Sequence, residues 1–239
     1  NYVADYSGFI CRPEVEADVI KSFAARLKQL HWANVHLENI RTSEARLQRL
    51  LKQFPGALFE RKEFVPVNKR DNTDNCVCPF LTLPDSWEKY LESLPSSNMR
   101  QKIRRFLRQL DSSDELRITV SDASTVERDV ELLLSLWETK WSQRKGDRIK
   151  MLVENNRNML RDAADAGSLF LPVLWQGERP LGALGSFIDP VKRSLLFFVA
   201  GRDETATTPP PGVILHAYSI RHAIGEGLVT YDFLRGNEP

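Results

Sequence analysis

The chain is short of cysteine, of surplus charge and of long apolar runs, and each shortage removes a class of protein. Only three cysteines, Cys11, Cys76 and Cys78, occur among 239 residues. So sparse and odd a set argues against a disulfide-stapled fold and for a reducing compartment, and a cytoplasmic location is the expectation that follows. Cys76 and Cys78 have no second ligand pair nearby in sequence, so they do not read as a zinc site and no metal is expected. No run reaches the roughly 18 apolar residues of a membrane span, and the opening residues show no secretory leader. Lys and Arg number 33 against 32 Asp and Glu, a formal charge of +1. No global field therefore recruits nucleic acid or an anionic membrane, and either would have to be met by a local patch.

What is present is ordinary globular material, 42% hydrophobic and 27% charged, sized for one large domain or two small ones. The chain begins at Asn1 without methionine and stops at Pro239 directly after a strand pattern. An excised segment of a longer protein is the expectation.

Helical spacing of Val15, Val19, Phe23, Leu27 and Leu30 predicts a helix over residues 14–30 with that apolar face. Alternation predicts a short strand over 33–40. Thr42 or Ser43 should cap a second amphipathic helix that ends near Phe54-Pro55-Gly56, and 57–67 reads as strand-like. Residues 68–75 are polar and turn-rich, a linker or hairpin loop. PFLTLP, residues 79–84, reads as an extended run before Asp85, a candidate N-cap for WEKYLESL. Ser96 or Ser97 should cap a helix over 98–110, whose Met99, Ile103, Phe106 and Leu110 oppose Arg100, Arg104, Arg105 and Arg108. That basic face could meet phosphates, but no aromatic residue interleaves it for stacking, and a solvated face explains it more simply. The strand LRITV and helices around 125–144 and 148–166 follow. Trp137 and Trp141, at i and i+4, read as core, although such a pair can also grip a sugar ring.

From Gly167 the periodicity becomes that of strands: SLFLPVLWQ, RPLGALGSFID and SLLFFVAGR, with turns at Gln176-Gly177-Glu178 and Asp189-Pro190, predict an antiparallel meander. A helix over 213–226 and a last strand over 228–234 close the pattern. The entry to that helix, TTPPPGVILHAY, is the most informative stretch of the chain. Pro209 to Pro211 stiffen it, and Gly212 has no side chain to block approach to the first helical amides of Gly212, Val213 and Ile214. Those amides and the helix dipole favour a bound anion, phosphate above all. A Pro-Gly entry also starts packed helices that bind nothing, and taken alone the fragment favours that plainer reading. The order of elements, three antiparallel strands, a Gly-opened helix and one more strand, resembles the central succession of the acetyltransferase fold, and that resemblance shifts the balance toward phosphate.

LLFFVAGRDE, followed by PPPGVILHAYSIRHAIGEGLVTYDFLRGNE, resembles the closing motif of CelD-like (cellulose-biosynthesis) acetyltransferases of the GNAT superfamily. PFLTLPDSWEKYLESLPSSNMRQKIRRFLRQL and WETKW resemble that family's middle section. The resemblance implies an α/β (α+β) fold, a GNAT-like mixed sheet flanked by helices, in tandem halves like those of FemAB-type transferases. Residues 1–78 would be the C-terminal part of a degenerate first domain, and 79–239 an acyltransferase domain truncated at its C-terminal end. The strict fingerprint Gln/Arg-x-x-Gly-x-Gly/Ala is absent, with Gly212 standing in for it, and the Tyr-Lys that follows the terminal Arg-Gly-x-Glu in the family falls past Pro239. The acceptor side and the general acid are expected there.

The chemistry implied is direct transfer from acetyl-CoA or another acyl-CoA to an amine or hydroxyl. A backbone amide near Val199, Ala200 and Gly201 would polarise the thioester, and Gly212, Val213 and Ile214 would hold the pyrophosphate. Arg202 and Asp203 would contact pantetheine or acceptor, and Arg235 and Glu238 belong to the terminal motif on the acceptor side. Asp232, a carboxylate within an apolar strand, is a candidate base or acceptor anchor, or else pairs structurally with Arg235 or a helix. His216 and Tyr218 lie early in the helix as candidate catalytic groups, with His222 behind them. The implied partners are a small-molecule or saccharide acceptor and polysaccharide-synthesis machinery of the cell envelope. An aminoacyl-tRNA-dependent transferase and a noncatalytic scaffold are the alternatives, and tRNA is not the expected partner.

Overall fold

The computed structural model describes residues 6–63, 67–68, 73–74, 76–206 and 210–236, in two units that meet in sequence between Val77 and Cys78. In the first, a 3-10 turn Pro13–Val15 leads into α1 (Glu16–Lys28). Helix α2 (Glu44–Leu51) starts where the Ser43 side chain accepts from the Arg46 amide, and β1 (Val67–Asn68) pairs antiparallel with β2 (Thr73–Asp74). The buried face of α1 differs from the predicted one: Ile20 and Ala24 pack with Leu50, while Phe23 and Leu30 stay exposed. The reason is electrostatic, because Glu16 faces α2 and its carboxylate takes the guanidiniums of Arg46 and Arg49. Residues 33–40 are not a strand. Their only pairing among the described residues is a single bridge from Ile40 to Ser7, and alternation without a partner backbone does not hold a strand. Residues 57–63 form a turn and irregular chain, Val67 pairs in β1, and the rest of the expected strand, 64–66, lies outside the described residues.

The second unit is built on a mixed sheet. Its strands are β3 (Phe80–Thr82), β4 (Leu116–Val120), β5 (Leu169–Phe170), β6 (Pro172–Gln176), β7 (Arg179–Asp189), β8 (Ser194–Arg202) and β9 (Thr230–Asp232). Their order is β3-β9-β8-β7-β6-β4, with β5 beside β7. All pairs are antiparallel except β8 with β9, which the crossover helix α7 (Pro211–Gly225) makes parallel. Helices α3 (Trp87–Ser93) and α4 (Ser97–Ser112) begin at Ser86 and Ser96, whose side chains accept the amides of Lys89 and Met99. Asp85 is therefore not the cap; its carboxylate pairs with Lys89.

Strand alternation sorts the side chains into two layers. Val173, Trp175, Ala183 and Val199 pack under α5 (Val126–Lys145) and α6 (Ile149–Asp165), together with Val130, Leu133 and Leu160. Leu174, Leu184, Ile214 and Leu215 fill the other face with Phe106 of α4. Trp137 and Trp141 sit at the rim of the α5/α6 core. Helix α5 presses unusually close to β8, for a Cβ placed on Gly201 would stand 2.5 Å from Leu133 O and 2.8 Å from Trp137 N.

Gly201→Ala is thus expected to destabilise the protein by about 1–3 kcal/mol, the range for overpacking a close-packed interior. Gly212→Ala meets only the Arg202 guanidinium at 3.8 Å and should cost nothing. Paired urea unfolding curves of the two variants check this.

Candidate functional site

The site begins where two strands part. β9 matches β8 only from Ser194↔Thr230 to Leu196↔Asp232. It then turns away: the Phe233 amide donates to Pro79 O, and Leu234 adopts a left-handed φ of 59°. Asp232 Oδ1, 2.8 Å from the Leu234 amide, accepts from it and holds that turn; this is the local side-chain-to-backbone bonding that aspartate favours in turns. β8 continues to Arg202, so among the described residues its edge from Phe197 onward has no strand partner on that side. Its pairing with β7 also slips by one residue, Ser186 facing Phe197 and Gly185 facing Val199, which leaves Phe198 as a bulge.

Beside this free edge lies a cleft of about 500 Å³. Ala200, Gly201 and Arg202 of β8 form one wall, and Gly212, Val213 and His216 of α7 another. Pro211 occupies the first turn of α7, and the Ile214 amide donates back to Pro210 O. The amides of Gly212 and Val213 have no carbonyl one turn earlier within the helix. Two cations flank them. Arg202 binds Glu204 through Nε at 3.0 Å and Nη2 at 3.2 Å, and Lys140 Nζ of α5 lies 3.4 Å from the same carboxylate. The pairing raises the Arg202 pKa and lowers that of Glu204, in each case chiefly through their mutual hydrogen bonds. The helix entry thus carries two cations against one carboxylate.

Deeper in the cleft, His216 Nδ1 lies 2.8 Å from the Tyr231 hydroxyl, and the edge of Phe197 packs on the imidazole at 4.8 Å between ring centres. Burial holds the His216 pKa down to about 4 and pushes that of Tyr231 up, so at neutral pH the imidazole is uncharged and the phenol keeps its proton. Either group can be the donor in this pair, and only the tautomer with its hydrogen on Nδ1, donating to Tyr231 Oη, keeps the Nε2 lone pair that a proton acceptor needs.

The remaining expected site residues are scattered. Ile214 is buried in the core and spends its amide within the helix start, and Val199 faces α5 rather than the cleft. Tyr218 packs against the α3/α4 core with Arg221 over its ring. Asp203 turns outward to Thr205 and Arg179, whose hydrogen bonds hold its pKa down to about 2. His222 stacks on Phe170. Arg235 follows the turn after β9, half-buried, and Glu238 lies outside the described residues. Lys140 and Tyr231 were not singled out in the sequence, although Lys140 stands inside WETKW and Tyr231 adjoins Asp232.

A family model described as the acetyltransferase (GNAT) domain matches residues 97–239. The chain belongs to this family. Among solved structures, FemX is similar at 12% identity with a TM-score of 0.60, over 98% of this chain and 72% of that one. A conserved protein of Bacteroides thetaiotaomicron aligns at 12% identity with a TM-score of 0.47 over 68% of this chain, which spans about half (52%) of that protein. At such identities the likeness speaks for the fold alone. No curated protein matches the chain. Membership implies an acyl-CoA co-substrate, and the GNAT cleft fits one: helix-entry amides, two cations and an unobstructed Gly212 stand at one mouth. No described helix is long and apolar enough to cross a membrane.

Because the unfolded chain binds a proton at His216 below its ordinary pKa near 6.5 while the folded protein binds none until about 4, stability is lost as pH falls through that window. The loss between pH 7 and 5 should be about 2 kcal/mol, with His222, whose pKa burial also lowers, adding in the same direction. His216→Asn should flatten this dependence, measured as urea midpoints at the two pH values.

Proposed function

We propose that the chain transfers an acyl group from acyl-CoA to a hydroxyl or amine, with the donor's phosphates at the start of α7 and its thioester along the free edge of β8. The observation that carries this reading is the parted β8/β9 edge, which opens onto the amides of Gly212 and Val213 between Lys140 and Arg202. The pantetheine arm would run from Arg202 toward the bulge at Phe198, where strand amides without a partner can polarise the thioester carbonyl. As the acceptor oxygen or nitrogen bonds to the carbonyl carbon and the C–S bond breaks, the acceptor's proton passes to His216 and on to the departing sulfur. A histidine whose pKa lies near 4 is a weak base, but once protonated it is a strong acid and returns the proton readily to the more basic thiolate. Tyr231 positions the ring. Asp232 serves on the acceptor side through the turn it holds, next to Arg235 and the terminal motif. The acceptor class, a saccharide or small molecule of cell-envelope or exopolysaccharide metabolism, is supported by the CelD-like resemblance. The tandem-domain reading, with residues 1–78 as remnant of a first GNAT-like half, has the same support.

A second reading, aminoacyl transfer from tRNA, has one observation in its favour. Lys102, Arg104, Arg105 and Arg108 are exposed on α4, and among the described residues no carboxylate pairs with them.

Isothermal titration of acetyl-CoA, with tRNA in a parallel titration, separates the two. Saturable CoA binding is expected, weakened about tenfold or more by Lys140→Gln through loss of a charge-assisted contact, and by Gly212→Val through the branched side chain at the helix entry. A folded protein that binds no CoA, or whose affinity neither substitution changes, overturns the donor site. Salt-sensitive tRNA binding in its place would establish the alternative.

A further inference from the structure

The two ends of the cleft differ in chemistry. Both charged side chains that line it, Lys140 and Arg202, stand at the start of α7. Past His216 the α7 wall continues as Ala217 and, one helical turn on, Ile220. Tyr90 of α3 and Ile103 of α4 pack with these two residues in one cluster, and Leu81, Leu94 and Phe233 lie against it. All seven line the cleft, and none is charged. Met99, 42% exposed, lies at the cleft as well. Tyr90, Ile103, Ala217 and Ile220 are themselves buried, so the apolar surface left facing water beyond an acetyl group belongs to Leu81, Leu94, Met99 and Phe233. A concave apolar surface continuous with a polar anchoring end is the ordinary form of a site for an amphiphilic ligand.

We propose that this apolar arm receives the hydrocarbon of the donor's acyl group, and that the preferred donor is an acyl-CoA with a medium-length chain rather than acetyl-CoA. The proposal rests on the donor site of the preceding subsection. With the phosphates at Gly212 and the thioester near His216, the acyl chain runs on along α7 toward Ile220. His216 to Ile220 spans about 6 Å of helix rise, room for several methylenes beyond the carbonyl. Among the described residues the arm offers no carboxylate to hold an ammonium and no cation to hold a phosphate, so a charged acceptor does not suit it. Such an acceptor would enter from another side of the thioester.

The test is titration of CoA, acetyl-, butyryl-, hexanoyl- and octanoyl-CoA into the full chain, below the micellar concentration of each. Affinity should rise roughly threefold to fourfold for each methylene that becomes buried, and then level off. Leu94→Trp, at a half-buried wall position, and Ile103→Trp, deeper in the arm, should each erase the gain from chain length while leaving the affinity for CoA itself unchanged. Two positions keep the test decisive should the deeper substitution fail to fold. Equal affinity across the series, or a gain that both folded variants retain, overturns the assignment of the arm. Absence of binding by CoA and all its thioesters instead overturns the donor site itself.

Discussion

The site depends on the early parting of β8 and β9. A parallel pair joined through a crossover helix would normally run on until one strand ends, and here it is β9 that ends, after three paired residues. The cause is local: the Asp232 carboxylate captures the Leu234 amide and Leu234 takes a left-handed conformation, while Phe233 only carries the pairing with β3 one step further, to Pro79. Leu234 lacks the freedom of glycine at positive φ, so this turn costs energy that surrounding contacts must offset. Leu234 is buried, and Phe233 packs against His216 and Tyr231. From the other face, α5 clamps β8 through the glycine at 201, so the free edge is held by a rigid neighbour rather than left as a mobile strand.

Much of the second unit was legible because its signals are local. β7 and β8 coincide with the alternating runs RPLGALGSFID and SLLFFVAGR, and α7 starts at the Pro-Gly pair. The first unit was less legible for the opposite reason. The buried face of α1 is chosen by Glu16 meeting two arginines about thirty residues away, and helical periodicity contains no trace of such a partner. Residues 33–40 alternate like a strand, yet a strand also needs a neighbouring backbone, and alternation does not supply one.

At the site, sequence reasoning found anomalies more readily than positions. Asp232 stood out as a carboxylate in an apolar strand; in the structure it shapes the turn that opens the cleft, a role that no charge pattern announces. Tyr231, its neighbour, looked like an ordinary strand aromatic, yet its hydroxyl is the polar partner of His216. His216 and Tyr218 looked alike in sequence, two residues apart at the start of one helix. At 100° per residue they point to different sides, and only His216 lines the cleft.

Overall charge conceals the arrangement most important for an anionic donor. Around α5 and α6 and at the β7 end, cations are matched one by one: Arg157 lies on Glu131 and Glu154, Arg161 on Glu127, and Arg179 on Asp203. At the start of α7, Lys140 and Arg202 share the single carboxylate of Glu204. That carboxylate occupies the neighbourhood a phosphate would enter, so binding exchanges one anion for another around the same two cations and does not leave them unpaired beforehand. In the proposed donor site the exchange favours a ligand with more than one negative charge and with acceptor oxygens for the helix-entry amides, since a single carboxylate already satisfies the guanidinium. A pyrophosphate meets both conditions where a lone carboxylate ligand does not, and this selects among anions at a helix entry that the dipole alone would offer to any of them.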